Sequence, residues 1–186
     1  MKTDPYSYVI PLPWDDAIKA LIKREGGLAD RPLHEDPGGL TNFGITQGLY
    51  TALGYKGSVR SITKLDAMNF YKKHFIVKNK LHIKLTEKYE QLQGPILDAM
   101  VHHGPARAVT FLQIAINLTL DKVILNPDGQ WGIQTQLALE KVGEDNMVSQ
   151  LSGYYKSVRY TYLFTRPHAK YNRGWFKRVL EVHREA

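Results

Sequence analysis

Hydrophobic residues recur at intervals of three or four along most of the chain, which is the spacing of one face of an α-helix. The first stretch predicts a helix that begins near Asp15 and ends at the pair Gly26–Gly27. Its apolar face is formed by Ile18, Leu21 and Ile22. Polar, turn-rich residues follow over 30–39, and the short stretch 40–45 suits a strand or one arm of a hairpin.

Capping residues and prolines divide the remaining chain into further helices. Thr46 suits the N-cap of a short helix that ends at Leu53, and Thr63 has the spacing of a capping-box residue. Pro95 and Pro105 each suit the first position of a helix. The expected helices cover 46–53, a segment from Thr63, 95–102, 105–118, 134–142, 147–162 and the region of 175–180.

This pattern predicts a mainly α fold, a bundle-like globule of six to eight helices with one short β-hairpin. The chain contains no internal repeat, no low-complexity tract and no clear linker, so we expect one domain over residues 1–186. It has no cysteine, which excludes a disulfide framework, a thiolate metal site and a cysteine nucleophile. We expect neither a metal nor another cofactor.

Basic residues are concentrated towards the C-terminal end of the chain. The formal net charge is +7, and residues 154–186 carry eight Lys and Arg against two Glu. Such a segment favours an anionic partner, and no recognised nucleic-acid motif accompanies it, so we expect an anionic cell-envelope surface rather than nucleic acid. Neutralising Arg173, Lys177 and Arg178 is expected to weaken this contact. No apolar run is long enough to span a bilayer, so we expect no stable membrane insertion.

Glu25 is the residue whose position first suggests chemistry. It follows Leu21 by four residues and Ile22 by three, which places it on the apolar face of the first helix. It also lies in the last turn, where the helix dipole disfavours a negative charge. Both effects favour the protonated carboxyl, which is the form that a general acid needs.

An acidic loop follows Glu25 at a short distance along the chain. Asp30, Glu35 and Asp36 fall within seven residues, in a segment that contains prolines and glycines. Such a loop is able to return a second carboxylate towards Glu25. Enzymes that hydrolyse a glycosidic bond commonly use two carboxyl groups, one on each side of that bond.

Three motifs in this order resemble a known family. They are Glu25-Gly26-Gly27, Asp36-Pro37-Gly38-Gly39 and Thr41-Asn42-Phe43-Gly44-Ile45-Thr46. With them the chain resembles glycoside hydrolase family 108, which comprises lysozyme-like N-acetylmuramidases frequent among phage endolysins. The stretch 98–108 resembles the start of the peptidoglycan-associated half that usually accompanies this family. The resemblance implies an α+β, lysozyme-like fold with a catalytic lobe over 14–90 and a peptidoglycan-associated helical lobe over 91–182.

The resemblance also implies roles for individual residues. Glu25 matches the catalytic acid, and Thr41 matches a threonine that precedes a Gly-Ile turn in related phage-type lysozymes. Asp36 best matches the acidic partner, with Asp30 and Glu35 as alternatives. Further candidates for contacts with substrate are Glu35, Asn42, Phe43, Tyr50 and His103.

The implied activity is hydrolysis of the β-1,4 bond between N-acetylmuramic acid and N-acetylglucosamine in peptidoglycan. Glu25 would protonate the leaving oxygen, Asp36 would stabilise the developing charge or activate water, and Thr41 would help to hold that water. The long loop between Glu25 and Asp36 suits a wide carboxyl separation and therefore inversion.

Three other functions remain open from the sequence: a lytic transglycosylase, a non-catalytic wall-binding module and a nucleic-acid binder. The first would use the same acid without a partner that activates water. For an endolysin we expect a monomer that is made in the host cytoplasm without a signal peptide. Its release to the peptidoglycan would then need a pore made by another protein.

Overall fold

The computed structural model describes residues 12–30, 39–165 and 169–182. The chain divides into two compact units, residues 1–78 and 79–186. The catalytic and peptidoglycan-associated lobes that the resemblance implied stay a prediction. Helices make up most of the described residues of both units, and a small antiparallel sheet lies in the first. The expected mainly α fold with a short β-hairpin is therefore confirmed.

The first unit combines helices with the sheet. Helix α1 spans Leu12–Glu25 and so begins a little earlier than the expected start at Asp15. The sheet has the order β1-β2-β3 and consists of Ala29–Asp30, Leu40–Asn42 and Ile45–Thr46. It is followed by α2 (Gln47–Ala52), a 3₁₀ turn (Val59–Ser61), α3 (Lys64–Tyr71) and a π-helical turn (Lys72–Val77).

The helix caps formed by side chains in this unit are the ones that the sequence predicts. The hydroxyl of Thr46 accepts a hydrogen bond from the amide of Leu49 at 3.2 Å, and it caps α2 as expected. Thr63 and Asp66 form the expected capping box at the start of α3, because each side chain accepts a hydrogen bond from the backbone amide of the other residue. These local bonds satisfy amides that have no partner inside the helix.

Helices form most of the described part of the second unit, and turns and irregular segments, the longest over 120–132, connect them. After α4 (Leu81–Lys84) and a 3₁₀ turn (Glu87–Tyr89), the long helices are α5 (Glu90–His103), α6 (Pro105–Thr119), α7 (Ile133–Glu144), α8 (Val148–Phe164) and α9 (Ala169–Val182). Pro105 occupies the first position of α6, as expected. No helix in the described ranges has both the length and the apolar character needed to cross a bilayer.

The prediction that a helix begins at Pro95 is wrong. Helix α5 begins at Glu90, so Pro95 lies inside it and cannot donate a backbone hydrogen bond to the preceding turn. The helix nevertheless extends through this position because Leu92 and Ile96 are fully buried, and their burial favours helix on both sides of the proline. The carbonyl of Pro95 accepts a hydrogen bond from Nη1 of Arg159 at 3.3 Å.

A buried ion cluster in the second unit corrects the expectation for the basic C-terminal segment. Arg159 and Asp98 are completely buried, and their side chains pair at 2.9 Å. Arg178 is mostly buried and also binds Asp98 at 2.9 Å. Two of the basic residues counted towards an exposed surface are therefore structural, because both bind the carboxylate of Asp98 inside the unit. The side chain of Arg173 lies outside the described residues.

Candidate active site

Glu25 is the last residue of α1, at the end of the face that carries the buried Leu21 and Ile22. Its side chain is half-buried, which agrees with the position expected from the apolar spacing. The chain leaves the helix at Gly26, which has a φ of +78°, a left-handed conformation that glycine adopts without strain. The carboxyl group is therefore carried by a defined helix end rather than by a loop.

The turn between β2 and β3 packs directly on this carboxyl group. Phe43 and Gly44 form the turn, with φ values of 51° and 78°, and strands β2 and β3 pair on either side. A methyl group on Gly44 would lie 2.5 Å from Cγ and 2.8 Å from Cδ of Glu25. Any side chain at this position would therefore displace the side chain of Glu25 or the hydroxyl of Tyr71. The left-handed Phe43 is unusual for a bulky residue, and such strain is concentrated at functional sites.

Tyr71 holds the turn in place from α3. Its hydroxyl donates a hydrogen bond to the carbonyl of Phe43 at 2.9 Å, and the ring is buried. The same hydroxyl would lie 2.7 Å from a methyl group on Gly44. The helix end, the hairpin turn and α3 thus meet around one carboxyl group, which is the arrangement that an oriented general acid requires. Sequence reasoning gave Tyr71 no functional role, and no local signal marks it.

Thr41 and Asn42 belong to the strand that leads into this turn. Thr41 is half-buried in β2, the central strand, and its hydroxyl donates a hydrogen bond to the carbonyl of Gly39 at 3.3 Å. Asn42 is only 5% exposed, and its amide donates to the carbonyl of Val59 at 2.9 Å. The expectation that Asn42 contacts substrate is therefore corrected, because its side chain holds the neighbouring 3₁₀ turn.

The second carboxylate stays a prediction. Asp36 and Glu35 lie outside the described residues. The third candidate, Asp30, is at the end of β1, where its exposed carboxylate forms an ion pair with Arg60. That ion pair gives Asp30 a structural partner at the surface.

Tyr50 and His103 lie in different surroundings from Glu25. The ring of Tyr50 stacks on Tyr55 with 4.6 Å between centroids, and both line a cavity in the first unit. His103 belongs to the second unit, where its ring packs edge-on against Phe111 and Tyr162. Burial and the neighbouring His102 lower the pKa of His103 to about 3, so that its ring is neutral near pH 7. These contacts pack His103 within the second unit, and its contact with substrate stays a prediction.

The substitution Gly44→Ala is expected to disrupt the site. The new methyl group would clash with the side-chain atoms of Glu25 that carry the carboxyl group. The left-handed φ of residue 44 would also strain the backbone of an alanine. We therefore expect a loss of about 2–4 kcal/mol in the free energy of unfolding. Displacement of Glu25 should also lower activity at least about tenfold. Thermal unfolding and a cell-wall turbidity assay measure the two effects.

Gly54→Ala is the matched control for this substitution. Gly54 has a similar φ of +84°, but nothing lies within 4 Å of the added methyl group. We expect this variant to lose only about 1 kcal/mol and to retain activity. Equal losses in the two variants would show that backbone strain, rather than contact with Glu25, is responsible.

Comparisons with known proteins place this site in a family. The family model described as Glycosyl hydrolase 108 matches residues 18–104, a segment that contains Glu25, Gly44 and Tyr71. The structure of Brucella abortus SagA is similar, with a TM-score of 0.72 and 28% sequence identity, over 92% of this chain and 91% of that chain. The curated proteins yield no match. The peptidoglycan-associated character expected for the second half of the chain stays a prediction.

Proposed function

Residues 18–104 belong to glycosyl hydrolase family 108, and from this premise we propose that the protein hydrolyses the β-1,4 bond between N-acetylmuramic acid and N-acetylglucosamine in peptidoglycan. The family makes the chain a glycoside hydrolase, while the substrate and the bond are our proposal. The observation that carries it is the half-buried carboxyl of Glu25, enclosed by the turn at Gly44 that Tyr71 holds.

In the proposed reaction, Glu25 acts as the general acid. It transfers its proton to the glycosidic oxygen as the bond to the anomeric carbon breaks, so that the leaving sugar departs as a neutral alcohol. A water molecule then supplies the hydroxyl group of the new reducing end and loses a proton to a second carboxylate. We assign that carboxylate to Asp36, with Thr41 helping to hold the water.

The orientation of Glu25 is the contribution that the fold makes to this step. The carboxyl group lies close to the backbone at Gly44, and Tyr71 holds the turn through its hydrogen bond to the carbonyl of Phe43. A carboxyl held in one position loses less conformational freedom when substrate binds, and the barrier to proton transfer is lower for that reason.

The proposed biological setting is lysis of a bacterial host by a phage-encoded enzyme. In this proposal the protein is made in the host cytoplasm and reaches the peptidoglycan through a pore formed by another protein. Contact with the anionic envelope would use basic residues that are open to solvent, such as Lys177, whose side chain is 75% exposed. Arg159 and Arg178 are excluded from this role because Asp98 binds them in the interior.

Analysis of the released products tests the proposed reaction. Purified peptidoglycan should yield fragments that end in reducing N-acetylmuramic acid, detected by mass spectrometry before and after borohydride reduction. Ends in 1,6-anhydro form would overturn hydrolysis in favour of a lytic transglycosylase. Binding to the polymer without any soluble product would instead indicate a non-catalytic wall-binding module.

A further inference from the structure

The first unit contains a second concave site that is separate from the Glu25 carboxyl. It is a cavity of about 290 Å³ that lies against α2, α3 and the π-helical turn. Neither Glu25 nor Tyr71 is among the described residues that line it. The two sites are nevertheless close along the backbone, since Ile45 lines the cavity and follows Gly44 directly.

One wall of the cavity is aromatic and is rigidly held. Tyr50 and Tyr55 stack with 4.6 Å between ring centroids, and Phe70 lies 5.6 Å from Tyr55. The hydroxyl of Tyr55 is hydrogen-bonded to Nε2 of His74 at 2.9 Å, which fixes the orientation of the ring. Aromatic surface of this kind buries apolar C–H groups at a small entropic cost because the rings are already ordered.

The polar groups of the cavity favour a neutral ligand. Within the described residues, the amide of Asn69, the hydroxyl of Tyr50 and Oδ1 of Asp66 make no hydrogen bond, while Oδ2 of Asp66 is held by Thr63. Of the two ammonium groups at the cavity, that of Lys72 is paired, since it lies 2.6 Å from Asp15, and that of Lys73 lies over the ring of Tyr55, 5.6 Å from its centroid. A carboxylate beside a paired lysine repels a phosphate but accepts hydrogen bonds from hydroxyl groups.

The π-helical turn is a second sign of function at this wall. The amide of Lys78 bonds to the carbonyl of Lys73, five residues earlier, and Lys72, Lys73 and Val77 from this turn line the cavity. Single π turns inside helices are rare and are frequently located at functional sites.

We propose that this cavity binds one uncharged hexopyranose ring, with its apolar face on the tyrosines and its hydroxyl groups on Asn69 and Asp66. The volume is at the lower end of the range for small-molecule sites, about 300–1,000 Å³, so the ligand is a single ring or the terminal ring of a chain. The identification of that ring as an N-acetylhexosamine rests on the proposed function. The site then holds a glycan end while Glu25 acts on another part of the polymer.

An NMR titration with N-acetylglucosamine tests this proposal. In ¹H–¹⁵N spectra of the whole protein, the sugar should shift the amide signals of Tyr50, Tyr55, Asp66 and Asn69. The variant Asn69→Leu, at an exposed position of α3, should weaken binding at these residues at least tenfold. Tyr50→Phe, which removes only a hydroxyl group, should weaken it less. Leu65→Ala, on the same helix and outside the cavity, is the control with unchanged binding.

The outcomes separate this proposal from the proposed hydrolysis. Glu25→Gln should retain sugar binding in the cavity even though it loses activity, so a failure of one proposal leaves the other standing. Shifts confined to residues around Glu25 and Gly44 would overturn the second site. Inorganic phosphate at the same concentration should leave the amide signals of the cavity residues unchanged. If phosphate shifted these signals and the sugar did not, the proposal that the ligand is uncharged would be overturned.

Discussion

Replacing Glu25 by Gln is expected to lower the rate of peptidoglycan solubilisation at least about 100-fold, because an amide cannot donate the proton that a general acid supplies. Gln has nearly the same shape as Glu, so it should fit under the turn at Gly44. The melting temperature should therefore change by no more than a few degrees. Release of soluble muropeptides per unit time measures the activity, and thermal unfolding measures stability.

Asp16→Asn is the matched control for this experiment. Asp16 lies on the same helix, and its exposed carboxylate pairs with Lys19 at 2.9 Å. Loss of such an exposed pair should leave stability almost unchanged, because solvent screens it, and we expect full activity. If Glu25→Gln retained more than a tenth of the normal rate while folded, Glu25 would not be the acid.

The substitution Asp98→Ala is expected to cost about 3–5 kcal/mol of the free energy of unfolding, because it leaves the guanidinium group of Arg159 buried without a counter-ion. Burial by itself would raise the pKa of Asp98, but the positive charges of Arg178 and Arg159 outweigh this effect and lower the pKa to about 2. The carboxylate is thus ionised at neutral pH and compensates the buried positive charge. Denaturant unfolding monitored by circular dichroism measures the loss.

Two further variants check the physical reason for this loss. Asp145→Asn removes a carboxylate from the exposed pair with Lys141, at 3.1 Å, and should cost less than about 1 kcal/mol. The double substitution Asp98→Leu with Arg159→Met removes the two completely buried charges and leaves only Arg178, which is 17% exposed, so it should recover part of the stability lost in Asp98→Ala. A double variant no more stable than Asp98→Ala would show that the cluster acts through packing rather than charge.

Local hydrogen bonds explain why some elements could be predicted from the sequence. The caps at Thr46 and Thr63 involve groups within one helical turn, so residue type and spacing are enough to identify them. Glu25 could be placed on the apolar face of α1 for the same reason. Pro95 shows the limit, because a local preference for a helix start was outweighed by burial of the residues around it.

The spacing of Arg159 in the sequence indicated that it is buried, but its positive charge favoured the opposite interpretation. Arg159 follows Tyr155 by four residues and precedes Leu163 by four, so it lies on the buried face of α8. An arginine is usually exposed, and counting it as a surface charge follows that usual behaviour. Its partner Asp98 is 61 residues away, and no spacing rule relates the two.

By itself, the sequence determined that this protein is mainly helical, that a hairpin follows the first helix and that Glu25 ends the apolar face of that helix. Only the tertiary structure decided what encloses the carboxyl group, because Tyr71 is 28 residues from its partner Phe43 and meets it through the packing of α3. The same holds for Arg178, which binds Asp98 on a different helix. Periodicity specifies which face of an element is apolar, whereas the neighbours of that face depend on how separate elements pack.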